Sequence, residues 1–282
     1  MIGKIRHLDS GRQSQPGPGH ATTFGQGCGI LRHTSPPGTY RHARFLPPAE
    51  LAAWVEHFWL EEWQFVGQPP QTREVLPHPC VHLVFAPGRS RIFGVQLGRF
   101  VRELKDRDRI FGIKFHPGAF YPFLRTSVSS IANTTIPATQ VFANATEAER
   151  EVLACDDDQG MVETAARFLA AHRPPLDPQA DSVRRVVEDI VNDRSITRVE
   201  HLVARFEIQE RTLQRLFDRY VGASPRWVIK RYRVHEALEQ ITAGLPTDWA
   251  TLAQDLGYFD QAHFINDFRK LVGCSPAEYA RV

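Results

Sequence analysis

The sequence lacks the features that would suit it to a bilayer, a disulfide scaffold or common forms of catalysis. Its 282 residues hold four cysteines, Cys28, Cys80, Cys155 and Cys274, with no CxxC pair among them. That spacing argues against a disulfide framework and against a structural zinc knuckle, so reduced thiols are expected. No apolar run approaches the roughly 20 residues that cross a membrane, and no membrane partner is expected. The opening MIGKIRHLDS has basic residues but neither an apolar stretch nor a small-residue cleavage site after them, which predicts a cytoplasmic protein. There is no GxSxG elbow, phosphate loop or HExxH helix, and Ser127, Ser129 and Ser130 sit in a turn-like run. No enzyme and no cofactor are expected. Excess charge of one sign is missing too: the formal net charge is +2, too small to announce a polyanion partner by itself.

What is present is an ordinary globular composition, 42% hydrophobic and 23% charged, in a chain long enough for two domains. Residues 11 to about 40 are crowded with Gly, Pro, Ser and Thr, and residues 1–40 read as a flexible tail without a fold of its own. Pro47 and Pro48 then open AELAAWVEHFW, where Leu51, Trp54, Val55 and Phe58 recur at helical spacing and predict a helix. VHLVFAP, SRIFGVQ and DRIFGIKFH are short, rich in Val, Ile and Phe, and read as strands. Residues 41–145 are therefore expected to form a small β-rich, barrel-like domain, and residues 146–180 a helical linker ending in the proline-rich HRPPLDPQAD. Seven helical segments follow in residues 181–282, so the expected class is α+β in two domains.

Charge within the last segment is uneven. Residues 181–282 balance 15 Lys and Arg against 15 Asp and Glu, yet Arg211, Arg215, Arg219, Arg226, Lys230, Arg231 and Arg233 fall within 23 residues beside one acid, Asp218. The same region carries an internal duplication. RLFDRYVGASP (215–225) and NDFRKLVGCSP (266–276) align at an offset of 51 residues and share Val-Gly-X-Ser-Pro endings. Each copy is preceded by a short helix and a tight turn, which is helix-turn-helix spacing. Leu213, Leu216 and Phe217 in the first copy, and Phe264 and Phe268 in the second, fall on an inward face. Arg211, Gln214, Arg215 and Arg219, and in the second copy Gln261, Ala262, Ile265 and Asn266, are then the candidate DNA-facing residues. Arg suits guanine O6 and N7, and Gln adenine N6 and N7; the same polar residues could also simply solvate an exposed face.

TLQRLFDRYVGASP followed by LAQDLGYFDQAHFINDFRKLVGCSPAEY resembles the AraC/XylS family of transcription regulators, over roughly Ile196 to Val282. The resemblance implies two helix-turn-helix units joined by a long helix, about Pro225 to Ala243, entering successive major grooves of double-stranded DNA, with the linker's basic residues near the phosphates. Family members commonly carry Ser-Arg after the HF pair, where this chain has Ile265, Asn266 and Asp267. The first, more basic unit is therefore expected to dominate binding.

The amino-terminal stretches VLPHPCVHLVF, IFGVQ and IFGIKFHPGAFYPFL resemble the sensor region often joined to AraC-type domains. That resemblance implies a domain binding a small-molecule effector or a second copy of the chain, with RNA polymerase as a further partner. Trp59, Phe85 and Phe115 are the aromatic candidates for an effector pocket, although aromatic residues in a small domain also simply build its core. His78, Cys80 and His82 alternate and would share one strand face, a geometry able to hold zinc or copper with His116 as a fourth ligand; packing is the alternative, and no metal is expected. Two other readings stay open. One is a scaffold that only dimerises or touches polymerase. The other is a DNA-modifying or metal-dependent enzyme fused to the DNA-binding half, whose alkyl-acceptor form would need a cysteine zinc cluster.

Overall fold

The computed structural model describes residues 30–31, 40–244 and 248–281; apart from Ile30, Leu31 and Tyr40, the tail expected over residues 1–40 lies outside them. The described residues form nine strands, the first eight ahead of any α-helix: β1 (Ile30–Leu31), β2 (Tyr40–Phe45), β3 (Val55–Phe65), β4 (Gln71–Val75), β5 (His82–Phe85), β6 (Arg91–Phe93), β7 (Phe100–Leu104), β8 (Asp106–Phe115) and β9 (Thr135–Pro137). They form an antiparallel six-stranded sheet in the order β2-β3-β8-β5-β6-β9 and a three-stranded sheet in the order β1-β4-β7. The two sheets do not close on each other, so the barrel-like expectation holds only in the looser form of two facing sheets.

The segment AELAAWVEHFW is not the expected helix. Only Ala49–Leu51 makes a 3-10 turn, and the chain then enters β3, which pairs with β2 on one side and β8 on the other. A register shift between Val55 and His57 offsets the alternation there and allowed the apolar positions to mimic a helical period.

Side-chain alternation gives the large sheet two different faces. Phe58, Leu60, Leu83, Phe85, Phe111, Ile113 and Phe115 are all fully buried on one of them, against helices. Those helices are α1 (Tyr121–Leu124), α2 (Ala145–Leu153) and α3 (Asp158–Ala171). The Asp157 carboxylate caps α3 by accepting from the Gly160 amide, and Arg41 of β2 grips Asp158 at 2.7 Å, fixing the helix to the sheet edge.

The remaining helices are α4 (Pro178–Asn192), α5 (Val199–Phe206), α6 (Glu210–Leu216), α7 (Pro225–Thr242), α8 (Trp249–Asp255), α9 (Gln261–Val272) and α10 (Pro276–Ala280), with a π turn over Phe217–Val221 after α6. They do not make one independent core. Leu202, Leu213, Phe217, Val228 and Ile229 continue the apolar cluster that starts under the large sheet. Val234, Leu238, Leu252, Phe264, Phe268 and Tyr279 form a second cluster, joined by Leu76 from the loop after β4.

Candidate nucleic-acid interface and sensor cavity

The Val-Gly-X-Ser-Pro repeat has a mechanical explanation. Gly222 and Gly273 stop their helices in the left-handed conformation, at φ 81° and 95°. Ser224 then caps α7 by accepting from the Trp227 amide, and Ser275 caps α10 by accepting from Glu278 in a reciprocal capping box. Pro225 and Pro276 occupy the first turn, where a missing N–H costs nothing. Each copy thus encodes a helix stop followed at once by a helix start, which fixes the exit from α6 and from α9.

Upstream, α5 turns into α6 through Glu207 at φ 49°, and α8 into α9 through Gly257 at φ 78°. Asp260 caps α9 by accepting from the His263 amide at 2.7 Å. On α6, Leu213 is buried while Arg211, Gln214 and Arg215 are exposed; Gln214 donates to Glu210 at 2.8 Å. On α9, Phe264 and Phe268 are fully buried and Gln261, Ala262 and Asn266 exposed, while Ile265 is half-buried against the second cluster. Each unit therefore presents a clamped helix with a polar outer face.

The basic segment divides differently from the expectation. Arg219 reaches Tyr121 of α1, donating to its hydroxyl and lying 4.7 Å over its ring, so it is engaged with the amino-terminal domain. Lys230 pairs with Asp267 of α9 at 2.5 Å. Arg231 and Arg233 are buried: Arg231 donates to the Leu97 carbonyl at 3.0 Å, and Arg233 to the Ile190 carbonyl while pairing with Glu236 at 3.2 Å. Arg211, Arg215 and Arg226 remain exposed. The linker helix α7 thus spends much of its basic charge on packing within the protein, where phosphate contact was expected.

The second feature is a cavity of about 180 Å³ between the two sheets. The face of the large sheet opposite the helices lines it with His42, Arg44, His57, Trp59, Glu61, His82, Val84, Phe93 and Lys114; the small sheet adds Arg73, Val75, Phe100 and Arg102. Trp59 can lie across β8 because its register partner is Gly112, where a Cβ would fall 2.0 Å from the indole. Its Nε1 donates to His82 Nδ1 at 3.2 Å. Burial, reinforced by neighbouring cations, pushes the pKa of both His42 and His82 down to about 3, so both are neutral at pH 7.

Of the three aromatic candidates, Trp59 lines this cavity. Phe85 and Phe115 lie on the other face of the sheet, packed edge-on against Phe168 at 5.7 Å and Phe120 at 4.8 Å, and do not reach it. His78, Cys80 and His82 do not share a strand, because β5 begins only at His82. His78 stacks on His235, and Cys80 faces Glu56 at 3.9 Å, its thiol pushed up to about 12 by burial. Among the described residues, no three His, Cys, Asp or Glu side chains are grouped to hold a metal ion. Sequence reasoning missed Arg44, Arg73, Arg102 and Lys114. The signal was partial: Arg44 and Lys114 alternate with apolar residues in their strands, whereas Arg73 stands between Thr72 and Glu74 and Arg102 between Val101 and Glu103.

Residues 202–281 match a family described as a helix-turn-helix domain, and residues 43–137 a domain of unknown function, DUF6597. No curated protein matches the chain. Among solved structures it is similar to a probable AraC family transcriptional regulator from Rhodopseudomonas palustris, with 30% identity over 36% of this chain and 95% of that one at a TM-score of 0.32. It is also similar to the C-terminal domain of AraT, a response regulator from Geobacillus stearothermophilus, with 25% identity over 38% and 86% of the chains at a TM-score of 0.33. A third is ToxT from Vibrio cholerae bound to an unsaturated fatty acid, with 11% identity over 88% and 97% at a TM-score of 0.35. Duplicated, capped helix-turn-helix units with polar outer faces are the arrangement of a DNA-binding transcription regulator. Residues 202–281 belong to that helix-turn-helix family, in keeping with the resemblance carried by the repeat. Among the described residues, no helix is long and apolar enough to cross a membrane.

Proposed function

We propose that this regulator binds specific DNA through α6 and α9 and that a small effector in the inter-sheet cavity adjusts that binding through α7. The observation that carries the reading is that two parts of the cavity wall rest on α7, the helix joining the two helix-turn-helix units. His78 lines the cavity and stacks on His235 of α7. Gln96 also lines it, and the next carbonyl, Leu97, accepts from both Trp227 Nε1 and Arg231 Nη2 of α7 at 3.0 Å. A ligand that moves either loop changes what α7 packs against, and the coupling runs equally in both directions. Arg211, Gln214 and Arg215 are the proposed readers in the first unit, and Gln261, Ala262 and Asn266 in the second; Arg219 is the weaker candidate because Tyr121 holds it. The four domains proposed are residues 1–40, 41–145, 146–180 and 181–282. The regulator works in the cytoplasm, with RNA polymerase and a second copy of the chain as partners.

The test is fluorescence anisotropy of the full chain on its own upstream DNA across a salt series. Arg215→Ala is expected to lose about 1–3 kcal/mol on the preferred site and little on random duplex, as a base reader should. Equal losses on both would assign Arg215 to phosphate, and binding without any sequence preference would overturn the reading.

A further inference from the structure

The chemistry of the cavity wall names a ligand class. Arg73 of β4 and Arg102 of β7 are direct cross-strand partners, an arrangement of like charges that destabilises a ladder unless an anion lies between them. One carboxylate is there: Glu61 sits 3.7 Å from Arg73 Nε and 3.4 Å from Arg102 Nη1, and also accepts from the Tyr40 hydroxyl at 2.9 Å. It is one acid shared by two guanidinium groups. Arg73 is only 4% exposed, yet its Nε and Nη1 find no hydrogen-bond acceptor among the described residues, and Arg44 Nε is buried in the same condition. Both arginines line the cavity.

Buried donors of this kind are costly to leave unmade, and a cation left without an acceptor more so. The guanidinium groups are also held in place: Arg73 lies 3.9 Å over the Tyr40 ring and Arg102 4.8 Å over Trp63. Lys114 adds a fourth cation but is satisfied by Glu56 at 2.8 Å. The neutral histidines His42 and His82 add no charge. The wall therefore holds a positive excess concentrated on Arg44 and Arg73, and the held fork of Arg73 suits a carboxylate.

Apart from histidines, Cys80 and Gln96, the rest of the wall is apolar and rich in aromatic rings. Two residues along the same ladder from the arginine pair, Val75 faces Phe100. Phe100 meets Phe93 of the large sheet edge-on at 6.2 Å, and Trp59 and Val84 complete the lining. At about 180 Å³ the space is below the roughly 300–1,000 Å³ of sites for drug-sized molecules, which limits the occupant to a small one.

We propose that the inter-sheet cavity is a site for a small organic monocarboxylate with a flat apolar body, its carboxylate held by Arg73 and Arg44 and its body between Trp59, Phe93 and Phe100. This rests on the reading of the cavity as the effector site, and binding and DNA response separate the two claims.

The experiment is calorimetric titration of the full chain with benzoate, phenylacetate, 1-naphthoate and hexanoate, each beside its primary amide. At least one acid is expected to bind at least tenfold more tightly than its amide. Arg73→Met is expected to weaken that acid tenfold or more while raising the melting temperature of the ligand-free protein, because it removes a buried charge lacking its full set of acceptors. An amide that binds as well as its acid, or no acid binding at millimolar concentration, overturns the proposal. So does an Arg73→Met protein that melts cooperatively and still binds the acid at wild-type strength. An acid that binds as expected but leaves DNA affinity unchanged keeps the site and sinks the effector reading instead.

Discussion

His78 and His235 stack with ring centroids 4.3 Å apart and planes 15° from parallel, which joins the cavity wall to the helix between the DNA-binding units. Burial, foremost, holds the His235 pKa down at about 3, with Arg231 and Lys114 pushing the same way and a backbone hydrogen bond at Pro77 opposing them. An unfolded histidine titrates near 6.5, so below that pH the unfolded chain takes up a proton that the folded chain refuses. Stability from this residue is complete above about pH 6.5 and is lost as pH falls toward 3, at about 1.4 kcal/mol per pH unit. Urea melts between pH 7 and 4.5 should therefore fall more steeply for the native chain than for His235→Phe. Parallel curves would show that His235 is protonated in the folded state.

Arg231 is fully buried, with Nη2 on the Leu97 and Gly98 carbonyls at 3.0 and 3.4 Å and its guanidinium 4.5 Å over Trp227. Its Nε and Nη1 have no acceptor among the described residues, and burial lowers its pKa to about 10. Such a side chain contributes mainly by filling space, because its unmet donors offset much of what its bonds supply. Arg231→Met keeps most of the volume and is expected to leave the urea midpoint nearly unchanged. Arg231→Ala opens a cavity at the domain junction and should cost about 2–5 kcal/mol, the range for a large-to-small core change. A large loss in the Met variant would instead mean that the charge itself holds α7 to the Leu97 loop.

The contrast between these two sites and the repeat explains what could be read from the sequence. Val-Gly-X-Ser-Pro is legible because each of its signals is local: a glycine at positive φ, a serine cap and a proline in the first turn act within five residues. The cavity was not, because its chemistry depends on pairing. Arg73 and Arg102 become neighbours only through the β4–β7 register, and nothing near either residue announces the other. Parity decided the aromatic candidates, since Trp59 faces the cavity while Phe85 and Phe115 face the helices. Partner strands likewise overrode the helical spacing of Leu51, Trp54, Val55 and Phe58. Arginine is seldom buried, which is why phosphate contact is the natural expectation for Arg231 and Arg233; the packing of α7 against the Leu97 loop puts the first inside and its packing against α4 the second.

The acid in the second unit has a structural partner that changes its expected effect on DNA. Asp267 of α9 holds Lys230 of α7 at 2.5 Å, so the residue that adds negative charge to this unit also occupies a cation of the linker helix. Asp267→Asn removes one repulsive charge and releases Lys230, and both changes favour a phosphate within reach. Each phosphate newly neutralised steepens the fall of log K with log salt by about one unit, so the gain should be largest at 50 mM salt and fade by 200 mM. Anisotropy titrations of the two proteins over that range measure it directly, on the specific site and on random duplex, where the gain should be equal because phosphates carry no sequence information. Identical slopes for the two proteins would place the α7–α9 junction away from the DNA backbone and leave phosphate contact in this half of the molecule to other side chains.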